Sequence, residues 1–257
     1  MQRKNKLKEL DRKIRVGAVS YLNTKPLIYG FEQGLMKDQI DLIFDYPANI
    51  AAALLNDTID IGLIPVAVIP EMKEYHIIGD YCISSEGEVA SVCLFSEVPL
   101  NEIETVLLDY QSRTSVKLAQ ILMKEFWKIN PVIKNATHDF RSEIKGRTAA
   151  VVIGDRALEQ RKISAYQYDL GLAWKEFTGM PFVFAAWISN KPLNAEFIAA
   201  FNEANELGLQ NIDEVVRLNP YSVFNLKKYY TDHIKFRMDS AKVQTIALFL
   251  RKLKNDP

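Results

Sequence analysis

The sequence predicts an α/β protein built as two lobes on mixed, mostly parallel sheets. Three observations carry this. Apolar strand runs alternate with helix-patterned runs over the first ninety residues, the βαβαβ order that makes parallel sheets with right-handed crossovers. The same unit, a strand, a polar turn and a helix, starts again after Pro99. An apolar strand then returns at Phe182–Ile188 and is followed by helical patterns alone.

Ile14–Val19 reads as a buried strand, and the small-polar turn Ser20–Thr24 follows it. Pro26 comes next, tolerated in a first helical turn because its missing N–H has no partner there. The helix over Leu27–Leu35 ends near Gly34. Asp41–Tyr46 alternates in polarity as a strand does, and Ala48–Leu55 has helical spacing with Ala and Leu propensity. Asp60–Pro65 is almost wholly apolar, as a strand covered on both faces must be. Val66–Met72 is a short helical turn bracketed by Pro65 and Pro70, and Ile77–Ile83 a fourth strand.

The polar stretch Ser84–Glu88 breaks the pattern. Strands are predicted at Val89–Phe95 and Thr105–Asp109, then a polar turn, Tyr110–Ser115. The helix Val116–Trp127 places Val116, Leu118, Ala119, Leu122, Met123 and Phe126 at core spacing. A strand at Ala149–Ile153 leads into Gly154–Leu158, and a helix over Asp169–Phe177 stops at Gly179. Phe182–Ile188 is a strand; Ala195–Leu207, Asp213–Leu218 and Ser240–Leu253 are helical. These assign residues 14–97 and 186–257 to a discontinuous first lobe, 98–185 to an inserted second lobe and 1–13 to a charged tail. The strands near Val92–Phe95 and Phe184–Ile188 are the expected crossovers.

The 257 residues carry 32 basic and 32 acidic side chains, interspersed, with 48% hydrophobic residues. A zero net charge without a basic, aromatic-rich patch argues against nucleic acid as a partner. No apolar run has the length of a membrane span, and residues 1–13 lack the apolar core of a signal peptide. The expectation is therefore a cytoplasmic protein without a membrane partner. Cys82 and Cys93 lie in apolar surroundings and read as buried free thiols. His76, His138 and His233 are scattered, in no metal-ligand spacing and beside no nucleophile. Trp127, Trp174 and Trp187 read as core. No glycine-rich dinucleotide fingerprint, phosphate loop or acidic metal cluster is present, so neither cofactor nor metal is expected.

Ligands of parallel α/β sheets bind outside the carboxyl ends of the strands. That rule selects Ser20–Thr24, Pro65 and Val66, Ser84–Glu88, Gln111–Ser115 and Gly154–Arg156. If the lobes face each other, these turns converge on a cleft. A helix amino end presents unpaired N–H groups and a positive dipole, which suit a carboxylate or phosphate. Arg113 beside Thr114 and Ser115 is the strongest such anion site. The competing reading is plain capping, by Asn23 or Thr24, by Ser112 or Thr114, and by Asp155. Residue patterns alone leave two function classes, a binding protein and a cofactor-free enzyme acting on a small acidic molecule.

Six motifs taken together are more specific: V-G-A-V-S-Y-L-N-T-K-P-L (16–27), D-I-G-L-I-P-V-A (60–67), I-S-S-E-G-E-V-A-S-V (83–92), L-D-Y-Q-S-R-T-S (108–115), V-I-G-D-R-A-L (152–158) and D-L-G-L-A-W-K-E-F-T-G-M-P-F-V-F-A-A-W (169–187). In this order the sequence resembles the chorismate dehydratases of the futalosine route to menaquinone, over roughly Ile14 to Asn190. The resemblance implies a fold like the type II periplasmic solute-binding proteins, with two lobes and a hinge. It implies loss of water from chorismate to give 3-[(1-carboxyvinyl)oxy]benzoate without a cofactor, in a protein whose partner is that small molecule and for which a homodimer is a possible assembly. The alternatives are the sister 1,4-dihydroxy-6-naphthoate synthase, which shares the fold, and a small-anion solute-binding protein, for which a secretory signal is expected.

On this resemblance, Ser20, Asn23 and Thr24 hold one end of the substrate, and Ser85, Arg113, Thr114 and Ser115 hold carboxylates from the other lobe. Ser84, Gly154 and Asp155 complete the lining. Glu86, Glu88 and Asp155 are the candidate proton acceptors. The reading preferred here makes the substrate's own enolpyruvyl carboxylate the base, with Asn23 as the catalytic residue that orients it.

Overall fold

The computed structural model describes residues 12–254. The charged tail expected at 1–13 lies, up to residue 11, outside the described residues. Strands β1 (Ile14–Val19), β2 (Ile40–Asp45), β3 (Ile61–Pro65) and β4 (His76–Ser85) alternate with helices α1 (Lys25–Glu32) and α2 (Pro47–Leu55). Then come β5 (Val92–Ser96), β6 (Thr105–Leu108), α3 (Thr114–Ile121), β7 (Val132–Asn135), β8 (Thr148–Ile153), α4 (Asp155–Gln160), β9 (Tyr166–Asp169) and α5 (Leu170–Thr178). The chain closes with β10 (Phe182–Ser189), α6 (Ala195–Gln210), α7 (Ile212–Leu218), α8 (Leu226–Lys228), β11 (Lys235–Arg237) and α9 (Ser240–Lys254).

Two sheets result. The first has the order β11-β4-β10-β3-β1-β2, the second β7-β6-β8-β5-β9. Both are mixed, but parallel pairing does not predominate. β1/β2, β1/β3, β6/β7 and β6/β8 are parallel. β3/β10, β4/β10, β4/β11, β5/β8 and β5/β9 are antiparallel. The reason is the double crossing between sheets. β4 leaves the first sheet at Ser85 and β10 re-enters beside it, with Phe182 opposite Ser85. β5 enters the second sheet and β9 leaves it in the same way, Cys93 opposite Asp169. A strand re-entering next to the one that left must run against it.

The crossovers therefore sit earlier than the sequence suggested. β5 belongs wholly to the second sheet and β10 wholly to the first. The connections are Glu86–Ser91 and Gly179–Pro181. Their strands read as crossovers because Pro and small residues flank them, yet each stays within one sheet, and all of Val92–Ser96 is buried there. The Asp169 carboxylate clamps the first connection to the start of α5. It accepts the N–H groups of Val89 (3.1 Å) and Ala90 (2.8 Å) together with those of Gly171 and Leu172 (3.0 Å each).

The main core joins both sheets, with Trp174 and Trp187 fully buried at its centre. Each indole N–H has a partner, Thr245 at 3.0 Å and Asn205 at 2.9 Å, as buried tryptophans require. Trp127, also expected in the core, is partly buried against it. Helix α1 packs on α6 at backbone contact: a β-carbon on Gly208 would lie 1.8 Å from the Pro26 carbonyl oxygen. This close approach fixes the helix that follows the first polar turn. Cys82 and Cys93 are buried free thiols, and burial pushes the Cys82 thiol up to about 12. No helix among the described residues is long and apolar enough to cross a membrane.

Candidate active site

β1 ends at Val19 and the chain tightens into a 3-10 turn, Leu22–Thr24, before α1. Pro26 stands in the first turn of α1 as expected. Thr24 occupies the cap position but makes no side-chain cap bond, so capping does not account for its hydroxyl. The hydroxyl instead donates to Asn23 Oδ1 at 3.3 Å.

The second lobe answers with the start of α3. Ser112 Oγ accepts the Ser115 N–H at 3.0 Å and does the capping there. Thr114 Oγ1 accepts the Ala67 N–H from the first lobe at 3.2 Å. Arg113 turns away and donates to both Glu71 oxygens at 2.9 Å, a half-exposed ion pair. Arg113 therefore ties the lobes at the surface.

Between the lobes lies a small cavity of about 60 Å³. Val19, Leu63, Ile83, Val92, Ile153 and Phe184 form most of its apolar wall, and Asn23, Thr24, Ser112, Thr114 and Ser115 supply its polar groups. Tyr21, Pro47, Pro65, Gly154 and Ala185 complete the lining, which includes no Asp, Glu, His, Lys or Arg. The lining pairs apolar walls with neutral donors and the amino end of α3, a chemistry that can meet an apolar ring and an anionic group.

Sequence reasoning selected Asn23, Thr24, Thr114, Ser115 and Gly154, and the structure brings these five together. Ser20 is exposed and outside the lining. Ser84 is buried, its hydroxyl donating to the Lys235 carbonyl on β11. Ser85 is buried with an unpartnered Oγ, packed where a β-carbon on Gly171 would come within 2.4 Å. Both serines lie at the end of β4, and neither lines the cavity. Asp155 accepts the Leu22 N–H at 3.2 Å and so grips the first lobe's turn from behind. Burial pushes its carboxyl up to about 6, against the Leu22 N–H and the charge of Lys25.

One network went unread in the sequence. Arg156 Nη2 donates to both oxygens of Asp109 and to Gln111 Oε1, each at 2.8 Å. Gln111 Oε1 also accepts the Tyr21 hydroxyl from the other lobe. The Asp109 carboxylate takes the Ile153 N–H at 3.1 Å and the Gln111 N–H at 3.0 Å. Burial raises both the Asp109 carboxyl and the Tyr21 phenol from their ordinary values. Gly154 makes room: its φ of 64° and ψ of −147° are open only to glycine, and a β-carbon would lie 3.2 Å from the Tyr21 ring. Asp109, Gln111 and Arg156 all stood inside recognisable motifs, yet a pairing across 47 residues leaves no local signal.

The menaquinone-biosynthesis family model matches residues 14–255. A chorismate dehydratase of Thermus thermophilus is 25% identical over 221 residues, covering 78% of this chain and 79% of that protein. Solved structures share the fold. A protein of Archaeoglobus fulgidus aligns with a TM-score of 0.74 at 13% identity, covering 96% of this chain and 98% of that one. The periplasmic aliphatic sulphonate binding protein SsuA of Escherichia coli aligns at 0.64 with 14% identity, covering 95% and 87%.

Proposed function

The chain belongs to the menaquinone-biosynthesis family, and from that membership we propose that it dehydrates chorismate to 3-[(1-carboxyvinyl)oxy]benzoate. The observation that carries the mechanism is the composition of the cavity. Its lining holds amide and hydroxyl groups from both lobes and, apart from the buried Tyr21 phenol, nothing that titrates. Glu86 donates nothing to it, being held by Lys242 at 3.1 Å, and Glu88 pairs with Arg161.

Asp155 is engaged by the Leu22 N–H at 3.2 Å and lies outside the lining, so the proton is taken by a group the substrate brings. The enolpyruvyl carboxylate removes the hydrogen from the ring carbon that bears its own ether. That C–H pair becomes the new ring double bond, the neighbouring C–O bond breaks, and the departing hydroxide leaves as water once protonated. The ring carboxylate, conjugated with the breaking C–H bond, acidifies it, and aromatisation drives the step. Thr114 and Ser115 at the head of α3 hold a carboxylate through neutral donors, which localise charge without quenching its basicity. Asn23, backed by Thr24, orients the enolpyruvyl group. The apolar wall keeps water from competing for the proton.

The test is turnover by Asn23→Ala beside Glu86→Gln. The reading expects Asn23→Ala to lose 100-fold or more in kcat and Glu86→Gln to stay near wild type. Loss of turnover in Glu86→Gln with chorismate still bound would overturn substrate-assisted proton removal.

A further inference from the structure

The peptide of Leu22 is held from both sides. Its N–H is accepted by Asp155 Oδ1 at 3.2 Å, from the lobe of the second sheet. Its C=O accepts the hydroxyl of Tyr230 at 2.9 Å, from the segment before β11 in the first. Both partners are themselves fixed. Tyr230 is buried and its ring packs on Tyr229 and Phe236. The Asp155 carbonyl accepts the Tyr221 hydroxyl at 3.2 Å. The next residue along the chain is Asn23.

Deepening the dehydratase reading, on which it rests, we infer that Asp155 and Tyr230 are positioning residues: together they grip the Leu22 peptide and set the direction in which Asn23 enters the cavity. Tyr230 sets it within one lobe. Asp155 sets it across the cleft, so the grip is complete only when the lobes are together, and closure and the aiming of Asn23 become one event. Neither side chain lines the cavity. Nothing in the reaction requires them to exchange a proton with substrate.

The chemistry of the grip separates it from acid–base catalysis. The groups facing Asp155 are Leu22 N–H, Glu159 on its own helix, Lys25 at the head of α1, and the phenols of Tyr221, Tyr229 and Tyr230. A carboxylate accepts an N–H more strongly than a carboxylic acid does, and an asparagine amide still accepts it. The grip therefore tolerates Asp155→Asn and not Asp155→Ala, whereas a catalytic acid would tolerate neither.

The experiment combines steady-state kinetics on chorismate with amide hydrogen exchange of the free enzyme over residues 20–25. Asp155→Ala is expected to lower kcat 10- to 100-fold with KM within threefold, and Tyr230→Phe to lower it several-fold. Asp155→Asn should recover most of the kcat lost in Asp155→Ala and flatten any pH dependence near 6. Exchange at Leu22 should quicken at least tenfold in Asp155→Ala and stay near wild type in Asp155→Asn. Wild-type kcat in Asp155→Ala and Tyr230→Phe, or loss of kcat in Asp155→Asn equal to that in Asp155→Ala, would overturn the inference. Unchanged exchange in Asp155→Ala would do the same. The exchange arm reads the grip even if the wild-type enzyme leaves chorismate untouched, an outcome that would count against the dehydratase reading alone.

Discussion

Tyr21 and Gln111 stand 90 residues apart, on turns that end strands of different sheets, and the hydroxyl of one donates to the amide oxygen of the other across the cleft. Thr114 with Ala67, Arg113 with Glu71 and Asp155 with Leu22 also bridge the lobes. Each of these contacts breaks if the lobes part, so together they define a closed arrangement around the cavity.

Tyr21→Phe removes one of them and keeps the ring that packs on Gly154. The expected cost is about 1 kcal/mol of stability, the usual net worth of a hydrogen bond. Because Gln111 keeps its bond from Arg156, the larger effect should fall on KM, raised several-fold, with kcat less changed. Steady-state kinetics on chorismate check this.

Gly154→Ala should be far more damaging than its size suggests. The backbone there is strained for any residue with a β-carbon, and the added methyl meets Tyr21. The expected destabilisation is about 1–3 kcal/mol from the backbone, read by urea unfolding. A variant as stable as wild type would show that the turn relaxes freely.

The pH dependence of stability has opposite signs at two aspartates. Asp155 binds its proton up to about 6 in the folded protein and to 3.8 ordinarily, so the native state holds more protons between those values. Stability contributed by this group is lost as pH rises from about 4 to 6. Asp155→Asn should therefore be more stable than wild type at pH 8, by at most about 3 kcal/mol at 1.36 kcal/mol per pKa unit, and equal to it at pH 4. A difference independent of pH would contradict this.

At Asp60 burial opposes ionisation, but Arg12 and Arg15 outweigh it and hold the carboxyl well below its ordinary value. Arg12 donates to both oxygens, at 2.7 and 2.8 Å, and the Arg15 N–H to one at 2.9 Å. This stabilisation is present above pH about 4 and is lost on acidification through and below that value. Asp60→Asn should cost about 1–2 kcal/mol at pH 7, less than a fully buried pair because both arginines stay partly solvated. The deficit should shrink as the pH falls below 4.

Much of the fold was legible because it rests on periodicity. The apolar runs at β1, β3 and β10 and the helical spacing of α3 and α6 each report local burial, which sequence order records. β7 and β9 were not legible: they are short edge strands, β7 wholly exposed, and carry no alternation to read. The crossovers were misplaced because flanking Pro and small residues mark where the chain turns, whether it then stays in one sheet or passes to the other. At the site, Asn23, Thr24, Thr114 and Ser115 were legible because strand-to-helix turns mark them. The pairing of Arg113 with Glu71, 42 residues earlier, was not legible, because it leaves no local signal. Tyr21 and Gln111 lay in turns the sequence selected, but their bond to each other across 90 residues is tertiary and left no local signal.

The central claim is tested most directly by incubating the purified protein with chorismate, without added cofactor, and following the product by absorbance and mass. The account predicts stoichiometric conversion to 3-[(1-carboxyvinyl)oxy]benzoate with loss of one water, slowed 100-fold or more in Asn23→Ala. Chorismate recovered intact, while raising the protein's melting temperature, would contradict it and mark the cavity as a binding site without chemistry.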